Sequence, residues 1–136
     1  IEMATLAVTR GSANVRALAT TIQLSQARES GVLRGWLHLW GAPQLSSAQD
    51  PDHEAMSGMA GRDELTRLAE LKGHAFDVLF LQLMVRHHQG AVAMAQGALR
   101  GLEVPAARET ALAIVREQTS EIAAMKAQLT RLAEPR

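Results

Sequence analysis

One stretch of the chain, residues 77–98, combines a carboxylate, two adjacent imidazoles and two thioethers. Apolar residues recur around these groups at helical spacing and no proline interrupts them, which predicts a helix with a buried stripe. Polar groups on a buried stripe destabilise a fold unless each finds a partner. That partner is either the rest of the protein or a bound metal ion. The side chains concerned are Asp77, Met84, His87, His88 and Met94.

Imidazole and thioether ligands without any thiolate suit copper, because thioethers favour Cu(I) and imidazole accepts both oxidation states. The chain contains no cysteine. Met84 precedes His87 by three residues and His88 by four, so it can share an ion with either. Met94 lies two helical turns after His87. Adjacent helical residues point about 100° apart, so His87 and His88 are not expected to bind one ion together. The competing interpretation is a hydrogen-bonded core histidine with methionines that fill core gaps.

Two further polar pairs, each three residues apart, lie on apolar helix stripes: Gln26 with Glu29, and Gln118 with Glu121. Helices bearing carboxylates that face helices bearing histidines are a recurrent source of metal sites in helix bundles. The sequence lacks the Glu-x-x-His motif of di-iron bundles, which argues against oxygen-activating iron chemistry. The alternative makes these residues, together with Asp77, the hydrogen-bond partners of the core histidines.

A second set of soft ligands, His53, Met56 and Met59, recurs at spacing three in a polar segment. Methionines in such a segment have no core to fill by default, so the set is a candidate exposed Cu(I) site. The alternative is a linker whose methionines fold over one end of the helices.

Five helices position these groups. They are predicted from the apolar periodicity and from the Gly and Pro residues that mark helix ends. Ser12 or Asn14 is expected to cap the second helix. That helix is expected to bury one side, formed by Ala19, Ile22, Gln26, Glu29, Leu33, Trp36 and Leu37. The predicted helices cover residues 1–10, about 15–40, 62–71, 74–100 and 105–133, with a loop at 41–61.

The second helix and the last helix repeat one another. Met3-Ala4 also matches Met94-Ala95, at an offset of 91 residues. The repeated helix pair predicts an all-α four-helix bundle with pseudo-two-fold symmetry and a truncated first helix. We expect one domain, with repeat 1 over residues 1–40, a loop over 41–61 and repeat 2 over 62–134, and a first His-His motif upstream of this chain. The matching positions are Ala19, Ile22, Gln26, Glu29, Leu33 and Leu37 against Ala111, Ile114, Gln118, Glu121, Met125 and Leu129, all 92 residues apart.

Composition narrows the classes of function. The 136 residues balance 14 basic against 14 acidic side chains without a long basic run, which argues against nucleic-acid binding. No apolar run reaches membrane-spanning length, so membrane insertion is not expected. Aromatic residues make up only 3% while 47% are hydrophobic, many of them alanine, which is typical of closely packed helices.

These motifs resemble the bacterial "domain of unknown function 305" proteins. The resemblance implies a ferritin-like helical protein that is secreted or periplasmic, with copper binding at Met84, His87, His88 and Met94 and a second set at His53, Met56 and Met59. The chain departs from the pattern in having Arg86 before the histidine pair and no first His-His pair. The residues that carry the resemblance are Gly73, Phe76, Asp77, Phe80, Met84, His87-His88-Gln89-Gly90-Ala91, Met94-Ala95, Ile114, Gln118, Glu121-Ile122, Met125, and the segment with His53, Met56, Gly58 and Met59.

Two functions follow from these alternatives. The first is a secreted or periplasmic protein that binds a copper ion for sequestration or transfer and carries out no bond chemistry. The second is a structural or interaction module with a buried His-Glu-Gln hydrogen-bond network and no metal, in which a homodimer would cover the truncated corner. Enzymatic activity is left open, with a non-catalytic role favoured.

Overall fold

The computed structural model of the protein describes residues 2–42 and 58–134. Within these ranges the structure is entirely helical and contains no strand, as the periodicity predicts. The predicted boundaries agree with the observed ones to within two residues. The helices are α1 (Glu2–Arg10), α2 (Ala13–Leu39), α3 (Arg62–Glu70), α4 (Gly73–Ala98) and α5 (Pro105–Ala133).

Helix α4 lies at the centre of the packing, where it runs along α5 and also contacts α1 and α3. Among the described residues, its N-terminal half is the most buried segment, because apolar residues follow one another at three- and four-residue spacing. Phe76 and Phe80, four residues apart, are fully buried, and their rings stack with centroids 6.1 Å apart. The polar side of α4 is exposed: Gln82, Arg86, Gln89, Gln96 and Arg100.

The junction between α1 and α2 is tied to α4 by a buried carboxylate. Ser12 stands at the N-cap of α2, but its side chain makes no capping hydrogen bond. Its backbone N–H instead donates to Oδ1 of Asp77 over 3.1 Å. Ser12 therefore occupies the N-cap position that the sequence predicts, but the side-chain hydrogen bond expected of a capping residue is absent.

The C-terminal half of α2 is less buried than its sequence predicts. Val15, Ala19 and Ile22 have no exposed surface, but Leu33 is 46% exposed and Trp36 and Leu37 are only half-buried. The predicted burial of Leu33 is wrong, because no helix among the described residues covers this part of the face. The lack of a covering helix within the described ranges also leaves Ala91 and Ala95 of α4 half-buried and Ala98 exposed, although all three lie on the apolar stripe of α4.

No helix in the described ranges has both the length and the hydropathy needed to span a membrane.

Candidate functional site: a buried histidine–carboxylate network and the adjacent His87 turn

His88 is the member of the histidine pair that faces the interior, and it has no exposed surface. Its Nδ1 lies 2.9 Å from the carbonyl oxygen of Met84, one turn earlier on α4, and can only donate to it. Its Nε2 lies 2.7 Å from Oε2 of Glu121 on α5. Both ring nitrogens are therefore used in hydrogen bonds within the protein.

The bond between His88 and Glu121 requires a proton. Since Nδ1 already carries the hydrogen given to Met84, a neutral ring would present a bare Nε2 to a carboxylate oxygen. Burial raises the pKa of Glu121, but hydrogen bonds from His88 and Ser25 and the positive charges of His88 and Arg28 outweigh it and hold that pKa below its usual value. With Glu121 ionised, both nitrogens of His88 carry hydrogens, and the contact is a buried ion pair.

Ser25 is the second hydrogen-bond donor to Glu121. Its hydroxyl donates to Oε1 over 2.5 Å, so the two carboxylate oxygens accept from two different helices, α2 and α4. Sequence reasoning missed this residue. The available signal was its position four residues before Glu29, which places it on the same face of α2.

A second polar pair links α5 to α2. The amide nitrogen Nε2 of Gln118 donates to Oε2 of Glu29 over 2.7 Å. Within the described residues, the remaining oxygens, Oε1 of Glu29 and Oε1 of Gln118, are buried without a hydrogen-bond partner. Burial raises the pKa of Glu29, the Gln118 bond offsets this only in part, and the charges of Glu121 and Glu117 add to the rise. Gln26, the other predicted member of this polar group, is half-buried.

His87 lies on the turn of α4 that the polar segment before α3 touches. It is half-buried, and its ring stands edge-on to His88 with centroids 6.0 Å apart. Gly58 packs against the same turn so closely that a Cβ there would lie 2.5 Å from the carbonyl oxygen of Arg86 and 3.2 Å from Cα of Gly90. The structure therefore brings the beginning of the described segment, Gly58 and Met59, onto the turn that carries His87.

An ion pair fixes that contact. Arg86 pairs with Glu64 at the start of α3, and its guanidinium donates to the carbonyl oxygen of Met59 over 3.2 Å. Arg86 holds the pKa of Glu64 at about 2, with help from the backbone N–H of Gly61. Sequence reasoning missed Glu64, although a glutamate at the third helical position is the signature of a capping box.

The remaining predicted ligands are dispersed. Met84 is buried in the hydrophobic core. Met94 is 49% exposed and lies on an apolar cavity beside the C-terminal half of α2. His53 and Met56 lie outside the described residues. Across the described ranges, no group of three or more His, Asp or Glu side chains is placed to hold a metal ion.

Comparison with known proteins identifies the family. Residues 1–129 match the family described as Domain of unknown function (DUF305). The chain belongs to the DUF305 family. No curated protein matches the sequence.

Solved DUF305 structures share the fold of this family member. One is a DUF305 fragment from Deinococcus radiodurans, 37% identical with a TM-score of 0.85, covering 96% of this chain and 85% of that one. Another is a DUF305 protein from Streptomyces coelicolor, provisionally named as secreted, 36% identical with a TM-score of 0.84 over 96% and 83%. CopM in its Cu(I)-bound form is also similar, at 29% identity and a TM-score of 0.75 over 98% and 86%.

Proposed function

We propose that this DUF305 protein binds copper for sequestration or transfer outside the cytoplasm, in the periplasm or after secretion, and carries out no bond chemistry. The observation that carries the proposal is the similarity of nearly the whole chain to CopM, a protein solved with Cu(I) bound. The side chains predicted as ligands, imidazoles and thioethers without thiolates, are a set that favours copper over hard cations. A family relative that is provisionally named as a secreted protein supports the location.

We infer that the ion is held at the His87 turn rather than at His88. A metal at His88 would have to displace the hydrogen bond to Met84 or the ion pair with Glu121. The His88 ring has no exposed surface, so water could not replace the lost partner. His87 lies on the turn that Gly58 and Met59 contact. Its thioether partner would be Met59, with His53 and Met56 of the same soft-ligand set adding ligands from outside the described residues.

The two other predicted thioether ligands, Met84 and Met94, are expected to contribute differently to copper binding. Met84 is three residues from His87, within reach of a shared ion, but its thioether lies in the core, so it would bind only after a local shift. Met94 is seven residues from His87, about 10 Å along the helix axis, which is too far for one ion. Met94 would belong to a separate, weaker site.

The finer architecture is part of the proposal. The repeat and the pairwise contacts of α1 with α2 and of α4 with α5 support a ferritin-like four-helix bundle with pseudo-two-fold symmetry. In such a bundle Glu121 would orient His88, and none of the five supporting polar residues would bind metal. The other four, Asp77, Gln118, Gln26 and Glu29, would support the fold. A homodimer remains a prediction.

The second candidate function is a structural or interaction module that binds no metal. The observation that favours it is the hydrogen-bonded set of His88, Glu121 and Ser25, in which every polar atom of the histidine ring has a partner inside the protein. In that case the histidine pair exists to specify helix packing.

A copper titration separates the two functions. Chelator-stripped protein is titrated with Cu(I) under a competing chromophoric chelator and with Cu(II), with Zn(II) as the control metal. We expect saturable copper binding, a raised melting temperature in the presence of copper, and a loss of affinity of at least tenfold in His87→Ala and in Met59→Leu. His38→Ala, which removes an exposed histidine at the end of α2, should bind as the wild type does.

Equal, weak binding of all three metal ions would refute the copper proposal and leave the interaction module. Binding that survives His87→Ala and Met59→Leu but is lost in His88→Ala, in a variant that still melts cooperatively, would move the site into the core network.

A further inference from the structure

The uncovered part of the apolar face described above forms one wall of a groove. The groove encloses a cavity of about 480 Å³ between the C-terminal half of α2, the end of α4 and the start of α5. Its lining is apolar except for Glu29 and Thr110, and the hydroxyl of Thr110 is already used, accepting from Trp36 Nε1 and donating to the carbonyl oxygen of Ala106. The apolar lining includes Leu33, Trp36, Leu37, Met94, Ala95 and Ile114.

The internal repeat shows what such a groove looks like when it is covered. Met3 and Met125 are 8% and 0% exposed, and both belong to the cluster formed around the N-terminal half of α4. Their repeat-related counterparts, Met94 and Leu33, are 49% and 46% exposed and stand at the groove. Equivalent positions therefore differ in whether a helix resembling the N-terminal half of α4 lies over them.

The polar groups of the two repeats differ in the same way. Glu121 accepts from Ser25 through Oε1 and from His88 on α4 through Oε2. Its counterpart 92 residues earlier, Glu29, accepts from Gln118 through Oε2, while Oε1 is buried and has no partner among the described residues. A buried carboxylate oxygen without a donor is costly, so the groove lacks the donor that His88 supplies in the other repeat.

We propose that the groove is the docking site of a partner α-helix with the chemistry of α4. Such a helix carries an aromatic residue, a methionine or aliphatic residue and a histidine at successive four-residue spacings, as Phe80, Met84 and His88 do. Its histidine donates to Glu29, and its apolar side chains cover Leu33 and Leu37. A helix fits better than a small apolar ligand, because Glu29 and Leu37 are separated by eight residues, about two turns of helix.

The test uses a synthetic peptide with the sequence of α4, residues 73–98, added to the intact protein. The chain has two tryptophans, Trp36 and Trp40, and both line the groove, so their fluorescence reports its occupation directly. We expect a saturable change in emission, and binding at least tenfold weaker for the His88→Ala peptide. In Glu29→Gln protein that tenfold difference should disappear.

Two matched protein variants act as controls. Glu109→Gln removes an exposed charge of α5 that does not line the groove, and should preserve the discrimination between peptides. Leu33→Glu places a charge in the groove at a position exposed enough to tolerate it in the free protein, and should abolish peptide binding. Copper is omitted throughout, so failure here does not affect the copper proposal.

Three results would overturn the proposal. Equal binding of the two peptides to the wild-type protein would remove the role of Glu29. A tryptophan response to hexane or another small apolar probe, but not to the peptide, would make the groove a ligand pocket. Self-association in sedimentation that Leu33→Glu abolishes, without peptide binding, would make it an interface between two copies of the chain.

Discussion

Removal of His88 tests the buried network at the centre of the fold. In His88→Ala the carboxylate of Glu121, whose side chain is only 13% exposed, loses the ring that balances its charge. The neighbouring Ser25 hydroxyl still donates to it, but that bond carries no positive charge. The truncation also leaves a cavity in a position that has no exposed surface.

The magnitude follows from these contacts. Breaking one side of a buried ion pair costs about 3–5 kcal/mol, because the remaining charge stays desolvated. For a chain of 136 residues, 1 kcal/mol corresponds to roughly 4 °C in melting temperature, so the variant should melt roughly 12–20 °C lower. That loss is a large share of the roughly 5–15 kcal/mol by which domains are stable.

A double-mutant cycle separates the charge from the cavity. Urea unfolding, followed by circular dichroism, is measured for the wild type, His88→Ala, Glu121→Gln and the double variant. In the double variant the amide at position 121 is no longer a desolvated charge, so about 1–3 kcal/mol of the His88→Ala loss should be recovered. His38→Ala, at an exposed site, should change stability by less than about 0.5 kcal/mol.

Two outcomes would refute this reasoning. If His88→Ala costs less than about 1 kcal/mol, the pair is not an important stabilising element of the native state. If the single losses simply add in the double variant, the histidine acts through its volume and not through its bond to Glu121.

The remaining predictions concern other contacts. Because the pKa of Glu121 is lowered in the folded protein, its ionised carboxylate stabilises the fold above the ordinary carboxyl pKa. That stability is lost as the pH falls through the pKa of Glu121 in the folded state, so thermal melts at decreasing pH should show Glu121→Gln and the wild type converging. Because the pKa of Glu29 is raised, Glu29→Gln should raise the melting temperature at pH 7 and lose that advantage as pH falls through the raised pKa; an unchanged difference at pH 4 would contradict it. Gly58→Ala should destabilise the protein by roughly 1–3 kcal/mol in urea melts, because the φ of 89° at Gly58 and the nearby Arg86 carbonyl both exclude a Cβ. Gly35→Ala, which has open space around the added Cβ, should not destabilise it. Asp77→Ala should cost about 1–3 kcal/mol by leaving the Ser12 N–H without an acceptor; a loss no larger than that of an exposed control would contradict this role.

The helices and the identity of the polar groups could be predicted from the sequence because they depend on local order. Period, glycine and proline determine where α2, α4 and α5 begin and end, and the offset of 92 residues identifies Glu29 and Glu121 as counterparts. Sequence reasoning also named Glu121 as one candidate partner of the core histidine, and that contact is present. The assignment of copper ligands stays a prediction.

Several contacts could not be predicted because they depend on which helix lies against which. Adjacent residues such as His87 and His88 have the same chemistry, and only the position of α5 selects His88 for burial. Asp77 was one alternative partner of a core histidine, but its carboxylate instead accepts from the backbone of the α1–α2 junction, 65 residues away in sequence. Leu33 has the pattern of a core residue, yet its exposure is set by the absence of a covering helix among the described residues.

By itself, the sequence determined the all-helical class, the repeated helix pair and the collection of imidazoles, thioethers and carboxylates on apolar stripes, because each is a property of neighbouring residues. The tertiary structure decided how those groups are used. Packing of α4 against α5 places His88 in an ion pair with Glu121, whereas the same glutamate position in the first repeat, Glu29, keeps one oxygen without a donor among the described residues. Burial depends on the neighbours that packing supplies, and periodicity within one helix cannot specify them.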